Sequence, residues 1–224
     1  MQERTVKLIG EERFNRLKNS KVLVVGVGGV GGYVVEMLAR AGVGNITVID
    51  GDKVDVTNIN RQIIALNSTI GMNKVDVIKS RVIDINKSCN IIAICDRINS
   101  GNASEILGEN YDYVIDCIDS VPDKVALIKE AITEGKKIIS CMGAGNRYNN
   151  IDFTITDIYK TKYDKLARKM RQLLKKEGVK KLDVCYSESN TEKVEGVIGS
   201  ISYGPPLAGV KIAQYVLLQL MEQE

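Results

Sequence analysis

Short, unbroken apolar runs alternate along this chain with longer segments whose apolar residues recur every third or fourth position. Lys21 to Val25 is a β-branched run that ends in Gly26-Val27-Gly28-Gly29-Val30-Gly31. From about Gly31 to Ala41, Val34, Val35, Leu38 and Ala39 fall on one stripe, the spacing of a helix with one buried face. Gly42-Val43-Gly44 stops that helix, and Asn45 to Asp50 reads as a second strand. The same alternation predicts a helix near Asn73 to Asn86, a strand near Asn90 to Cys95 and a strand at Tyr113 to Cys117. A helix near Pro122 to Glu134 and a strand at Lys137 to Cys141 follow. Strands apolar along their whole length, alternating with helices, require cover on both faces, so the expected class is α/β with a mostly parallel sheet.

The pattern changes after Gly143-Ala144-Gly145. Asp152 to Tyr159 alternates like a sheet strand, and Asp164 to Glu177 reads as a helix ended by Gly178. Asp183 to Ser187 is a short strand, Glu188 to Glu195 a polar loop, and Pro205-Pro206 leads into an apolar helix over about Leu207 to Leu220. The expectation is one domain over residues 1–224, with a core in 1–145 and a C-terminal α+β extension in 146–224. At 224 residues the chain can bury a substantial core. No apolar run approaches the roughly 20 residues a membrane span needs. Met1-Gln2-Glu3-Arg4 opens a mixed charged segment rather than an apolar leader, so a cytoplasmic protein is expected.

Charge sharpens the picture of the extension. Between Lys160 and Lys181 ten basic residues face only Asp164 and Glu177, a net +8 within a chain whose total is +3. The rest is therefore mildly acidic, and the basic helix is a candidate surface for a polyanion. The chain has no histidine, which excludes Ser-His and Cys-His nucleophilic chemistry. Its five cysteines form no C-x-x-C pair, so a zinc site is not expected, and Cys185 reads as an ordinary strand cysteine.

Gly26-x-Gly28-x-x-Gly31 lies between a strand and a helix, the setting in which a glycine turn approaches phosphate and a helix N-terminus receives it. Gly29 belongs to the same turn. Asp50 closes the second strand, where a carboxylate meets ribose hydroxyls, and Asp52 follows it. To this point a Rossmann-like NAD-dependent enzyme fits equally well. Thr57-Asn58-Ile59-Asn60-Arg61-Gln62, then Lys74, then Asp119 after a later strand change the balance. Cations and an amide near one crevice suit a triphosphate, and a carboxylate there can hold Mg2+.

These residues give the chain a close resemblance, from about Arg4 to Gly145, to the ubiquitin-activating-type adenylyltransferase superfamily. That superfamily includes the ThiF, MoeB and HesA proteins, among them the bacterial thiamin and molybdopterin sulfur-carrier activators. The resemblance implies that Asp50 binds ribose, that Asn58, Arg61 and Lys74 bind phosphate, and that Asp119 binds Mg2+. It also implies a homodimer, because Arg4 stands where an N-terminal arginine reaches into the partner subunit's site. Ser120 departs from the asparagine usual in the sulfur-carrier activators. The two C-x-x-C motifs of those activators are missing. Asp119-Ser120-Val121, Thr156 to Thr161, Asp164-x-Leu166-Ala167-x-x-Met170-Arg171, Cys185 to Glu188 and Gly199 to Ser202 resemble instead the tRNA threonylcarbamoyladenosine dehydratase (TcdA) family over nearly the whole chain. Lys165 stands where that family commonly has proline.

This second resemblance implies that the carboxylate of threonylcarbamoyladenosine attacks the ATP α-phosphate. The neighbouring carbamoyl group then closes a ring and releases AMP. Arg168, Lys169, Arg171, Lys175 and Lys176 would grip the phosphates of an anticodon stem. Other readings remain open: adenylation of the C-terminal carboxylate of a small ubiquitin-like sulfur-carrier protein, an NAD-dependent oxidoreductase, or a non-catalytic nucleotide sensor.

Overall fold

The computed structural model describes residues 2–222. Seven strands form a single sheet: β1 (Lys21–Val25), β2 (Asn45–Ile49), β3 (Asn90–Ile94), β4 (Tyr113–Asp116), β5 (Ile138–Cys141), β6 (Thr154–Asp157) and β7 (Asp183–Tyr186). Their order is β3-β2-β1-β4-β5-β7-β6. Every neighbouring pair is parallel except β6 with β7, which puts one antiparallel strand at the edge. The extension is thus not a separate layer: β7 pairs with β5 and continues the core sheet.

Successive residues of a strand face opposite sides, and here both sides are core. Val22 and Val24 of β1 pack into one apolar cluster with Val34 and Leu38 of α3 (Gly31–Ala41), Ile78 of α4 (Lys74–Ile85) and Ile212 and Val216 of α8 (Gly204–Met221). Leu23 and Val25 enter the other cluster with Leu107 of α5 (Ala103–Leu107), Leu127 and Ile128 of α6 (Val121–Thr133) and Met170 and Leu174 of α7 (Lys165–Lys176). Two-sided burial is why the strands read as unbroken apolar runs.

Two helices at the N-terminus, α1 (Glu3–Ile9) and α2 (Glu11–Asn19), lie outside the sequence expectation. The first buries no residue and the second buries only Leu17, so neither prints an apolar stripe. The strand expected over Asp152 to Tyr159 is only Thr154–Asp157, because the Asp157 carboxylate accepts the Tyr159 N–H at 2.8 Å and starts a 3-10 turn, Ile158–Lys160. The last helix begins at Gly204 rather than Leu207. Pro205 and Pro206 sit in its first turn, where a missing N–H costs nothing. Among the described residues no helix is long and apolar enough to cross a membrane.

The β1 chain crosses to β2 on one side while β4 lies on its other side, so the connections diverge between β1 and β4. Val25 stands level with Ile49 and with Asp116, and the three strand ends open into a common crevice. In open α/β sheets that divergence is where ligands bind.

Candidate active site

A cavity of about 450 Å³ occupies this crevice. It is lined by Gly26, Gly28, Gly29, Asp50, Asp52, Arg61, Lys74 and Asp119 among others. The glycine turn is fixed by sterics. Gly26 has φ +86°, and a Cβ on it would stand 2.8 Å from the carbonyl oxygen of Cys117. Gly31 does not line the cavity; a Cβ there would overlap the Gly26 carbonyl oxygen, so this glycine lets the first turn of α3 close against the end of β1. Val30, which precedes α3, supplies no side-chain cap; the Gly32 N–H bonds the Gly28 carbonyl at 3.0 Å and the Tyr33 N–H the Val30 carbonyl at 3.1 Å, so this end attracts an anion chiefly through the helix dipole.

Asp50 is clamped rather than loose. One carboxylate oxygen accepts the Val27 N–H at 2.8 Å and the other accepts the Asp52 N–H at 2.9 Å. Asp52 joins two cations: Lys74 Nζ lies 2.9 Å from Oδ2, and Arg97 Nη2 lies 2.7 Å from Oδ1. Burial alone would raise the Asp52 carboxyl, but the bonds and charges of Lys74 and Arg97 outweigh it and hold the group below its usual range. Lys74, the first residue of α4, is buried, and its N–H bonds the Asp52 carbonyl at 3.0 Å, so the ammonium is delivered from a rigid position. The Arg61 guanidinium donates at 2.9 Å both to the Thr57 carbonyl and to Asn60 Oδ1, which orients it at the rim.

Asp119 is exposed and, among the described residues, carries no hydrogen bond or ion pair to a protein group. Its loop is anchored one turn earlier. Asp116 Oδ1 accepts the Ile118 N–H at 3.0 Å, while Oδ2 takes Lys124 Nζ at 2.7 Å and the Ser140 hydroxyl at 2.5 Å, with Asp116, Lys124 and Ser140 fully buried.

Not every expected residue reaches the cavity. Asn58 turns its side-chain oxygen to the Asp55 N–H at 3.1 Å and shapes the local turn. Arg4, on α1, is exposed and outside its own chain's cavity. On α7, Arg168, Lys169, Lys175 and Lys176 are exposed, but Arg171 bends inward and donates to the Thr161 carbonyl at 3.0 Å and to its hydroxyl. Arg171 therefore ties down the segment before the helix instead of facing outward. Cys185 is buried opposite Cys141; the bond with that neighbouring thiol and burial push its own thiol well above the usual value, as expected of an inert core cysteine.

Two cavity residues were given no role by the sequence: Gln62, which only closes the Thr57-to-Gln62 motif, and Arg97. Gln62 is buried against Gly28, lines the cavity, and its Oε1 has no partner. Arg97 sits just past β3 and crosses to Asp52. The only sequence signal for either was position: beside Arg61, and at the end of a strand.

The cavity and the basic helix are joined. Ala144 lines the cavity, and a Cβ on its neighbour Gly143 would stand 3.0 Å from Asp164 Oδ2. Asp164 caps α7 by accepting the Ala167 N–H at 2.7 Å and pairs at 3.2 Å with Arg147, both side chains being buried. Arg147 also donates to the Ser189 carbonyl.

The sequence model of the ThiF family matches residues 2–217. The chain is 39% identical, over 96% of its length and 92% of the relative's, to the tRNA threonylcarbamoyladenosine dehydratase of Bacillus subtilis. Against the enzyme of the same name from Escherichia coli it is 40% identical over 76% of its length, spanning 64% of that protein. Its fold matches the crystal structure of E. coli tRNA N6-threonylcarbamoyladenosine dehydratase, TcdA, in complex with ATP, with a TM-score of 0.91 at 34% identity, covering 97% of this chain and 92% of that one.

Proposed function

The chain belongs to the ThiF family, and from that premise we propose that it is an ATP-dependent tRNA threonylcarbamoyladenosine dehydratase. The observation that carries the proposal is the single cavity in which a glycine turn, Asp50, Arg61, Lys74 and Asp119 converge. The match to dehydratases over nearly the full chain supports the choice of substrate.

The residues fit ATP. The cavity lies within the size range of small-ligand sites, about 300–1,000 Å³. The unpartnered Gln62 Oε1 is a buried acceptor awaiting a donor, a role that ribose or adenine can fill. Asp50, held by two backbone N–H groups, offers its remaining lone pairs to ribose hydroxyls. Lys74 and Arg61 bring positive charge to the phosphates, and α3 brings its N-terminus. The donor set also fits Mg2+, which is commonly held by one or two carboxylates together with phosphate oxygens and water; here the carboxylate is Asp119. Such an ion would offset the charge on the phosphate oxygens.

The chemistry follows from this inventory. A carboxylate is a poor electrophile, so the threonyl carboxylate oxygen first bonds to the α-phosphorus and pyrophosphate leaves. The neighbouring carbamoyl group then attacks the activated carbonyl carbon, loses its proton, and AMP departs with the oxygen. The base has lost the elements of water. Arg61 and Lys74 stabilise negative charge as it builds on phosphate. Ring closure is intramolecular and asks for orientation more than a protein nucleophile, consistent with a chain that lacks histidine.

The polyanionic substrate is assigned to α7, whose exposed Arg168, Lys169, Lys175 and Lys176 suit the phosphates of an anticodon stem-loop. The enzyme works as a cytoplasmic homodimer in which Arg4 of each chain completes the other's site, and a small carrier or sulfur-transfer protein is a further partner to test. The decisive experiment is mass spectrometry of tRNA nucleosides after incubation with protein, ATP and Mg2+. Threonylcarbamoyladenosine should lose the mass of one water while AMP and pyrophosphate accumulate. Pyrophosphate release only with a ubiquitin-like carrier, and none with modified tRNA, would overturn the assignment. Charge reversal at Arg168 and Lys169 should weaken tRNA binding and leave ATP binding intact.

A further inference from the structure

Tyr163 holds a conformation that the fold has to enforce. Its φ is +58°, and the N–H of Asp164 donates to the Lys162 carbonyl at 2.8 Å across it. Bulky non-glycine residues avoid that region unless their neighbours impose it. Both neighbours do. On one side Arg171 grips the Thr161 carbonyl, and on the other Asp164 is buried, caps α7 and pairs with Arg147. The outcome of this over-determined turn is a phenol ring that is 81% exposed. Nothing in the core gains from it. Lys160, Lys162 and Lys165 are exposed around it.

The place of the ring is equally specific. Asp164 packs against Gly143, and the next residue, Ala144, lines the nucleotide cavity. Tyr163 therefore stands at the end of α7 nearer the cavity, while Lys175 and Lys176 stand at the far end, about 15 Å away along a helix rising about 1.5 Å per residue.

We propose that Tyr163 is a stacking platform for an unpaired nucleobase of the RNA substrate, beside the adenosine that enters the cavity. The inference rests on the tRNA reading above and deepens it. An exposed aromatic ring among lysines matches single-stranded RNA, whose bases offer open faces and whose phosphates attract ammonium groups. Duplex RNA buries those faces and gains only the charge term. Stem phosphates along α7, a loop base on Tyr163 and the reacting base in the cavity then form one continuous path.

The chain has no tryptophan, so Tyr163→Trp installs a single indole reporter in the full-length protein. Two probes are compared: a short RNA stem-loop with unpaired loop bases and a blunt RNA duplex of the same length. The indole emission should be quenched by the stem-loop and not by the duplex. Tyr163→Ala should bind the stem-loop about tenfold more weakly, the loss expected for one stacked base. Its duplex affinity should be unchanged, and Tyr163→Phe should keep stem-loop affinity. A Tyr163→Ala variant that binds the stem-loop as tightly as the unaltered protein, with no quenching in Tyr163→Trp, overturns the stacking role while leaving tRNA binding in place. Failure of the unaltered protein to bind either RNA removes the tRNA reading itself, and the inference with it.

Discussion

Replacing Lys124 by methionine tests whether the loop that carries Asp119 is held by buried charge. Lys124 is 0% exposed, and its ammonium has two neighbours, Asp116 Oδ2 at 2.7 Å and Ser140 Oγ at 3.1 Å. Methionine nearly matches the volume, so the main change is electrostatic: the Asp116 carboxylate keeps the Ser140 hydroxyl and the Ile118 N–H but loses its counter-charge. Stranding one member of a buried pair costs about 3–5 kcal/mol. In a chain of this size each kcal/mol moves the melting temperature by about 2–4 °C, so a fall of about 6–20 °C is expected. Removing both charges, Lys124→Met with Asp116→Asn, strands nothing, and the asparagine oxygen can still accept the Ile118 N–H. The double variant should recover at least half of the loss. Thermal and urea unfolding followed by circular dichroism, with and without ATP and Mg2+, measure all of this. If the single variant melted within about 2 °C of the unaltered protein, or if the double variant were no more stable than the single, the anchoring argument would be wrong.

Three further outcomes are expected. Gly31→Ala drives a methyl into the Gly26 carbonyl oxygen; it should abolish measurable ATP binding by calorimetry, and native affinity would refute the packing role given to this glycine. Arg97→Ala removes a solvent-exposed ion pair, so thermal stability should hardly change; ATP affinity should nevertheless fall several-fold, because the cavity loses a cation and Asp52 is left to Lys74 alone. Glu36 is buried between Arg81 and Arg40, at 2.6 and 2.7 Å. Burial raises its carboxyl, but the two arginines outweigh that and hold it below its ordinary 4.5. With the folded value below the unfolded one, the contribution is complete above about pH 4.5 and is lost as pH falls through the folded value. Glu36→Gln should flatten that acid limb in urea titrations, and an unchanged limb would count against the pair.

What could be read in the sequence was whatever leaves a local trace. Val22 to Val25 alternate between two cores, so the strand appears as an apolar run, and the stripe on α3 marks its buried side. The glycine turn and Asp50 were legible because strand, turn and second strand follow one another within thirty residues. Gln62 and Arg97 were not. Arg97 meets Asp52 across 45 residues, and only the placement of β3 beside β2 joins them. Arg171 misled for a related reason. Its helical spacing agrees with an outward basic face, but spacing does not say that Thr161 waits on that side with a carbonyl and a hydroxyl to satisfy. The helices α1 and α2 bury a single residue between them and so left no pattern to read.

Among the described residues, the two ion pairs buried on both sides fall where position matters for the proposed chemistry. Lys124–Asp116 fixes the loop of Asp119, and Arg147–Asp164 fixes α7 and Tyr163 against the Gly143–Ala144 rim. Well-packed apolar residues would often stabilise such positions as well or better, since desolvation consumes much of the attraction between buried ions. What an ion pair adds is direction: one geometry satisfies it and neighbouring geometries do not. An enzyme that joins a bound carboxylate to a phosphate and then closes a ring within the substrate depends on that direction, because misplacement by about 1 Å can cost about a hundredfold in rate. If α7 binds the RNA as proposed, the Arg147–Asp164 pair is the element expected to couple that grip to adenylation. Weakening it with Asp164→Asn should lower turnover of tRNA-bound substrate more than it lowers affinity for ATP or for tRNA measured separately. Equal losses in all three would reduce the pair to a general structural support.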